Sequence, residues 1–188
     1  MTGLENTIER ILWTEQQISE RVSEIASQIN DDFNGSSSSM VVVGVATGAF
    51  LFLADLVRKF TWPVSVDFIR VGSYGSGTES SGAPRISSDI KIDIKGKHVL
   101  VVEDIVDTGN TLTCLISHLA SKGASSVSVC SFLDKPARRK VHFELVGEGK
   151  FYRGFECPDY FVVGYGMDYA ELYRNLPYVG VLKPELYK

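Results

Sequence analysis

Apolar residues return at Ile18, Val22, Ile25 and Ile29, a spacing that places them on one stripe of a helix, and Thr14 with Gln17 fits a capping box just before them. The pattern predicts an amphipathic helix over 15–31 whose stripe packs on a sheet. Its character then changes. Residues 40–46, MVVVGVA, form a short and almost continuous β-branched run, as expected of a strand buried on both faces. Stretches 63–71, 97–103 and 126–133 read as further strands, and helical stretches over 48–60 and 111–123 alternate with them, the second stopped by Gly123. This rhythm predicts right-handed βαβ units, hence an α/β fold with a central parallel sheet flanked by helices.

Other segments punctuate that rhythm. The serine run Ser36 to Ser39 reads as a connector, whereas 72–88, GSYGSGTESSGAPRISS, is expected to be a mobile loop long enough to cover a site. Alternation over 90–94, followed by Lys95-Gly96, predicts a small hairpin with the 97–103 strand. After Pro136 the rhythm fades into short apolar pieces at 141–146, 160–165 and 178–182. The expected organisation is one domain over 1–188: a core at about 36–135 and a small hood built from about 1–14 and 136–188.

Bulk properties narrow the class. The 188 residues are 44% hydrophobic and 22% charged with a formal net charge of −4, a soluble globular profile that argues against a disordered chain or a nucleic-acid-coating surface. Cys114, Cys130 and Cys157 are odd in number and form no CxxC pair, so reduced thiols are expected. The stretch MTGLENTIER resembles neither a secretory signal nor a transit peptide. No window approaches the roughly 20 apolar residues of a membrane span, so no membrane partner and a cytoplasmic location are expected.

Chemistry concentrates at the end of the third predicted strand, in KHVLVVEDIVDTGNTL. Ligands of open parallel sheets bind beyond the carboxyl ends of the strands, where Glu103, Asp104 and Asp107 would sit. If the following helix begins at Asn110 or Thr111, the amides of Asp107, Thr108, Gly109, Asn110 and Thr111 converge near its positive end, and the two threonine hydroxyls add donors. Such a turn suits a phosphate monoester. An Asp-Thr-Gly alone would more simply be a helix cap, but here the acidic pair, the apolar spacer and the Asp-Thr-Gly-x-Thr form one string.

VVVEDIVDTGNTL resembles the phosphoribosyl pyrophosphate motif of the type I phosphoribosyltransferases. FLDKPARR at 132–139, FVVGYGMDY at 161–169 and YRNLPY at 173–178 resemble the purine end of the hypoxanthine-guanine phosphoribosyltransferase family, and the likeness runs in order from about Leu12 to Leu182. It implies transfer of a 5-phosphoribosyl group from phosphoribosyl pyrophosphate to N9 of a 6-oxopurine, with magnesium as cofactor and a homodimer or homotetramer as the assembly. Under it Glu103 and Asp104 face the ribose hydroxyls directly or through magnesium, Asp107 is the general base at purine N7, and Thr108 to Thr111 hold the 5′-phosphate. Lys135 donates to the purine O6, Phe161 stacks on the ring, Val162 gives main-chain contacts, and Asp168 holds a second magnesium through water. Thr47 and Gly48 belong to the pyrophosphate loop. Arg174 matches an arginine that contacts pyrophosphate, although a structural ion pair accounts for it equally, and Ser73-Tyr74 matches the lid pair.

One departure stands out. That loop often carries a basic residue before its glycine and a cis peptide, and here it reads Ala46-Thr47-Gly48-Ala49. Competing readings are a phosphoribosyltransferase for xanthine, adenine, orotate or uracil, and a non-catalytic regulator that senses phosphoribosyl pyrophosphate. Lys135 argues for an accepting 6-oxo group against adenine's amino donor, and the acidic net charge argues against a nucleic-acid-binding regulator.

Overall fold

The computed structural model describes residues 3–34, 40–73 and 83–187. Strand β1 (Ile8–Trp13) leads into helix α1 (Glu15–Phe33), whose start follows from its cap: Thr14 Oγ1 accepts from Gln17 N at 3.3 Å, and Gln17 Oε1 accepts from Thr14 N at 2.9 Å. There follow β2 (Met40–Ala46), α2 (Phe50–Val57), β3 (Ser65–Ser73), β4 (Pro84–Ser88), β5 (His98–Val106), α3 (Asn110–Ser121), β6 (Ser126–Asp134), β7 (Phe151–Glu156), β8 (Val162–Val163) and β9 (Val179–Leu182).

Six strands form the main sheet in the order β4-β3-β2-β5-β6-β7, parallel throughout except for β4. Alternation within the buried runs decides which helix covers which face. Met40, Val42, Leu100, Val102 and Phe132 turn toward α1 and α2, packing with Ile18, Ile25, Phe52 and Leu56. Val41, Val43, Val99, Val101 and Val129 turn the other way, against Leu112, Leu115 and Leu119 of α3. Both faces are therefore covered, as a parallel sheet requires. A second sheet, β1-β9-β8, forms the hood, and Trp13 of β1 ties it to the main sheet by stacking on Phe155 of β7 at 4.8 Å between ring centroids.

Several expectations need correction. Residues 84–88, read as part of the long loop, form β4 and pair antiparallel with β3, whereas 90–94 make no hairpin. Carboxylates explain the exchange: Asp67 Oδ2 accepts from the amides of Lys91 and Ile92 at 2.6 and 2.9 Å, satisfying backbone that a strand ladder would otherwise need. Residues 151–156, inside the span expected to build the hood, form β7, which pairs parallel with β6 at the edge of the main sheet. Arg153 and Gly154 interrupt its apolar run, since an edge strand is only half covered. Residues 141–146, expected in the hood, hold a single bridge, Val127 to Val146, and Phe143, Leu145 and Val146 pack with the α3 side of the main sheet. The second helix is shorter than expected, and the third strand longer, running on to Val106.

Phe132 sits where these layers meet, fully buried, with ring centroids 5.3 Å from Phe52, 5.7 Å from Phe155 and 4.8 Å from Tyr165. Phe132→Ala is expected to lower the unfolding free energy by about 3–5 kcal/mol in chemical denaturation. A loss below about 1 kcal/mol would show that this junction does not hold the layers together.

Candidate active site

The site opens where one ladder stops and its neighbour continues. Strand β2 last pairs with β5 at Gly44 and Val102, while β5 stays paired with β6 through Glu103, Ile105 and Val106. Glu103 and Asp104 thus lie within the strand rather than beyond it, beside a gap that β2 no longer fills. A cavity of about 360 Å³ occupies the gap.

Glu103 is only 5% exposed, and its Oε2 has no hydrogen-bond partner among the described residues. Burial, reinforced by the Asp104 carboxylate beside it, holds the Glu103 carboxyl well above its ordinary 4.5. Burial also raises Asp104, against the opposing effect of the Ile105 amide, which donates to Asp104 Oδ1 at 2.8 Å. The other Asp104 oxygen faces Gly48: a Cβ there would lie 1.7 Å from Oδ2. Only glycine lets the loop leading into α2 approach so closely. The Ala46–Thr47 peptide in this loop is cis.

Downstream, Asp107, Thr108, Gly109 and Thr111 line the same cavity, and α3 begins at Asn110. Gly109 turns the chain with φ +91°, and a Cβ on it would lie 2.2 Å from Val141 O. First-turn amides of a helix lack intrahelical acceptors, so this end is a natural anion cradle. The hood closes the opposite side. Arg174 Nη1 donates to Gly166 O at 2.8 Å, and its Nη2 pairs with Asp168 at 3.2 Å and Glu171 at 3.1 Å. Arg174 therefore makes the structural ion pair and also lines the cavity.

A second cavity of about 560 Å³ shares Asp104, Asp107 and Asp168 with the first. Lys135, Phe161 and Val162 line it. Lys135 is only 8% exposed, and its Nζ donates to Tyr160 O at 2.5 Å. Phe161 stacks on Tyr187 at 4.5 Å, a partner the sequence reading did not include. Thr47 and Asn110 flank the first cavity without lining it. Ser73 ends β3, and Tyr74 lies outside the described residues.

Three further residues were given no role in the sequence, although Arg138 lies in the FLDKPARR stretch. Arg70, on β3, pairs in register with Ala46 and donates from Nη2 to Thr47 Oγ1 at 3.2 Å. It brings to the loop a positive charge that the loop's own sequence lacks. Arg138 and Asp159 line the second cavity. Charged residues at strand ends and turns are common, so nothing local singled out Arg70 or Asp159, and the motif around Arg138 gave it no separate role.

Residues 12–170 match the phosphoribosyl transferase domain model. A hypoxanthine-guanine phosphoribosyltransferase of Staphylococcus aureus is 42% identical over 184 residues, which cover 98% of this chain and 99% of the relative. A bifunctional TilS/HprT protein of Listeria monocytogenes is also 42% identical, over 98% of this chain, and the chain spans 28% of that protein's length. A crystal structure of a hypoxanthine phosphoribosyltransferase from Staphylococcus aureus superposes with a TM-score of 0.89 at 41% identity, covering 100% of this chain and 98% of the other.

The buried acidic pair has a consequence for stability. A carboxyl whose pKa is raised on folding contributes its stability below the unfolded value and loses it as pH rises toward the folded value. Ligand-free protein should therefore lose stability above the ordinary Glu103 value of 4.5. His98, which burial lowers, acts with the opposite sign, so the comparison is with Glu103→Gln, in which the His98 contribution cancels. Unfolding free energies of the two proteins should agree near pH 4, with the variant the more stable at about pH 8. Parallel pH profiles would contradict this.

Proposed function

Because the chain belongs to the phosphoribosyltransferase family, we propose that it transfers the 5-phosphoribosyl group of phosphoribosyl pyrophosphate to N9 of hypoxanthine or guanine, giving IMP or GMP and pyrophosphate. The observation that carries this reading is the pair of adjoining cavities: one has an anion cradle and the other a buried lysine, and Asp104 and Asp107 lie on the wall they share.

The chain's residues divide the work. Amides and hydroxyls of Thr108 to Thr111 hold the 5′-phosphate at the start of α3. Glu103 and Asp104 accept from the ribose hydroxyls and face the positive charge that grows on the sugar as the C1′–O bond breaks. That electron pair leaves on the pyrophosphate oxygen, the N9–C1′ bond forms, and the N7 proton passes to Asp107. Lys135 exchanges Tyr160 O for the purine O6, and Val162 gives main-chain contacts to the base. A purine on Phe161 uses the ring face opposite Tyr187 or displaces that ring. Gly48, Arg174 and Thr47, the last supported by Arg70, receive the pyrophosphate.

The orphaned Glu103 Oε2, the facing Asp104 oxygen and the all-oxygen donor set fit a hard divalent cation. Among the described residues no cluster of three ligating side chains is present. Glu103 and Asp104 would hold one magnesium through the substrate, and Asp168 a second through water. When bound, magnesium supplies charge neutralisation to the departing pyrophosphate. Among the described residues no helix is long and apolar enough to cross a membrane. A cytoplasmic homodimer or homotetramer completes the reading, with Phe50, Val66 and Phe68, 38–48% exposed, as its contact surface.

The test supplies magnesium and phosphoribosyl pyrophosphate with hypoxanthine, guanine, xanthine or adenine in separate reactions. Nucleotide should form from hypoxanthine or guanine, and none from either would overturn the assignment. Asp107→Asn should lower kcat by about 100-fold or more while KM for phosphoribosyl pyrophosphate stays within about threefold. Loss of binding instead would move Asp107 out of the base's role.

A further inference from the structure

Asp107 has a main chain that is fixed and a side chain that is not. The segment after β6 is latched onto its strand end: Lys135 N donates to Val106 O at 2.9 Å, Arg139 Nε to Asp107 O at 3.2 Å, and the amides of Lys140 and Val141 to Thr108 O at 2.9 and 3.0 Å. None of these bonds reaches the Asp107 carboxylate, which is 42% exposed. Its contact comes from Arg138, whose Nε donates to Oδ1 at 3.2 Å. Arg138 closes a tight turn, Pro136–Arg138, in which its amide donates to Lys135 O at 3.0 Å. The turn therefore carries Lys135 and Arg138 together to the second cavity, and across it Arg138 Nη1 pairs with Asp159 at 3.8 Å.

We propose that Arg138 is a positioning residue for the reaction: by engaging one oxygen of Asp107 it fixes the rotamer that leaves the other oxygen directed at the N7 proton, with Asp159 steadying its far end. A short carboxylate with no such partner would share its time among staggered rotamers, only some of which can meet the base. The longer Asp159 contact is the looser of the two, so the guanidinium can follow Asp107 as substrate enters. This inference rests on Asp107 acting as the base.

A double-mutant cycle separates the two claims. In the wild-type background Arg138→Gln should lower kcat about fivefold, the size of effect a half-exposed ion pair supports, with KM for phosphoribosyl pyrophosphate unchanged. Arg138→Lys, which keeps a donor and the charge, should recover most of that loss. In the Asp107→Asn background Arg138→Gln should have no further effect on kcat, because the group it positions is gone. An equal loss in both backgrounds, or no loss in the wild type while Asp107→Asn alone is slow, would overturn the positioning role and leave the base assignment standing. Undiminished kcat in Asp107→Asn would remove the base assignment itself. Thermal unfolding of Arg138→Gln and Arg138→Lys should match the wild type, since the side chain is 48% exposed, and Arg138→Lys keeps the test valid if the glutamine variant unfolds early.

Discussion

The burial of Glu103 beside Asp104 is the constraint around which the rest of the site is arranged. A strand of aliphatic residues carries these carboxyls inside the sheet, and the early end of the β2 ladder leaves them facing a gap in which Glu103 Oε2 finds no donor among the described residues. Buried carboxyls without partners are costly, and here both are pushed toward the protonated form. A substrate rich in hydroxyls, or a hard cation, would relieve that cost on binding. Stability given up in the free protein thereby becomes affinity and placement.

Around this pair, charge is sorted by position. Donors collect at the start of α3, where Gly109 turns the chain and the first-turn amides lie free of helical acceptors. Cations collect at the other end, in Arg174 from the hood and Arg70 from β3. The two arginines reach this end from different elements, and under the proposed reading Arg70 would bring to the Thr47 loop a charge that its own sequence lacks. Asp107 lies between the two cavities, with Arg138 reaching it from the segment that also carries Lys135.

Much of this was legible because burial on both faces leaves a plain mark: the valine-rich runs of β2 and β5 could hardly be anything but central strands, and Thr14 with Gln17 announced α1. The turn at 107–111 could be placed after the strand for the same reason, whereas Glu103 and Asp104, expected at its end, lie within β5. What escaped was decided by tertiary pairing. Pro84–Ser88 is polar and mostly exposed, so only its partner β3 makes it a strand, and Asp67 makes 90–92 something other than one. Phe151–Glu156 hid because an edge strand needs only half a hydrophobic pattern. Arg70 and Arg138 hid for a related reason, since their contacts span 23 and 31 residues of sequence. No local pattern encodes such a contact.

Burial pushes Glu103 and Asp104 toward the protonated form, so pairing with substrate hydroxyls and magnesium should pull them back toward the charged form, and proton release on binding tests this most directly. Calorimetric titration of magnesium and phosphoribosyl pyrophosphate into the protein, at neutral pH in buffers of different ionisation enthalpy, counts the protons released. Release should be clear for the wild type and markedly smaller for Glu103→Gln. Binding heats that do not depend on the buffer, or equal release from both proteins, would contradict it.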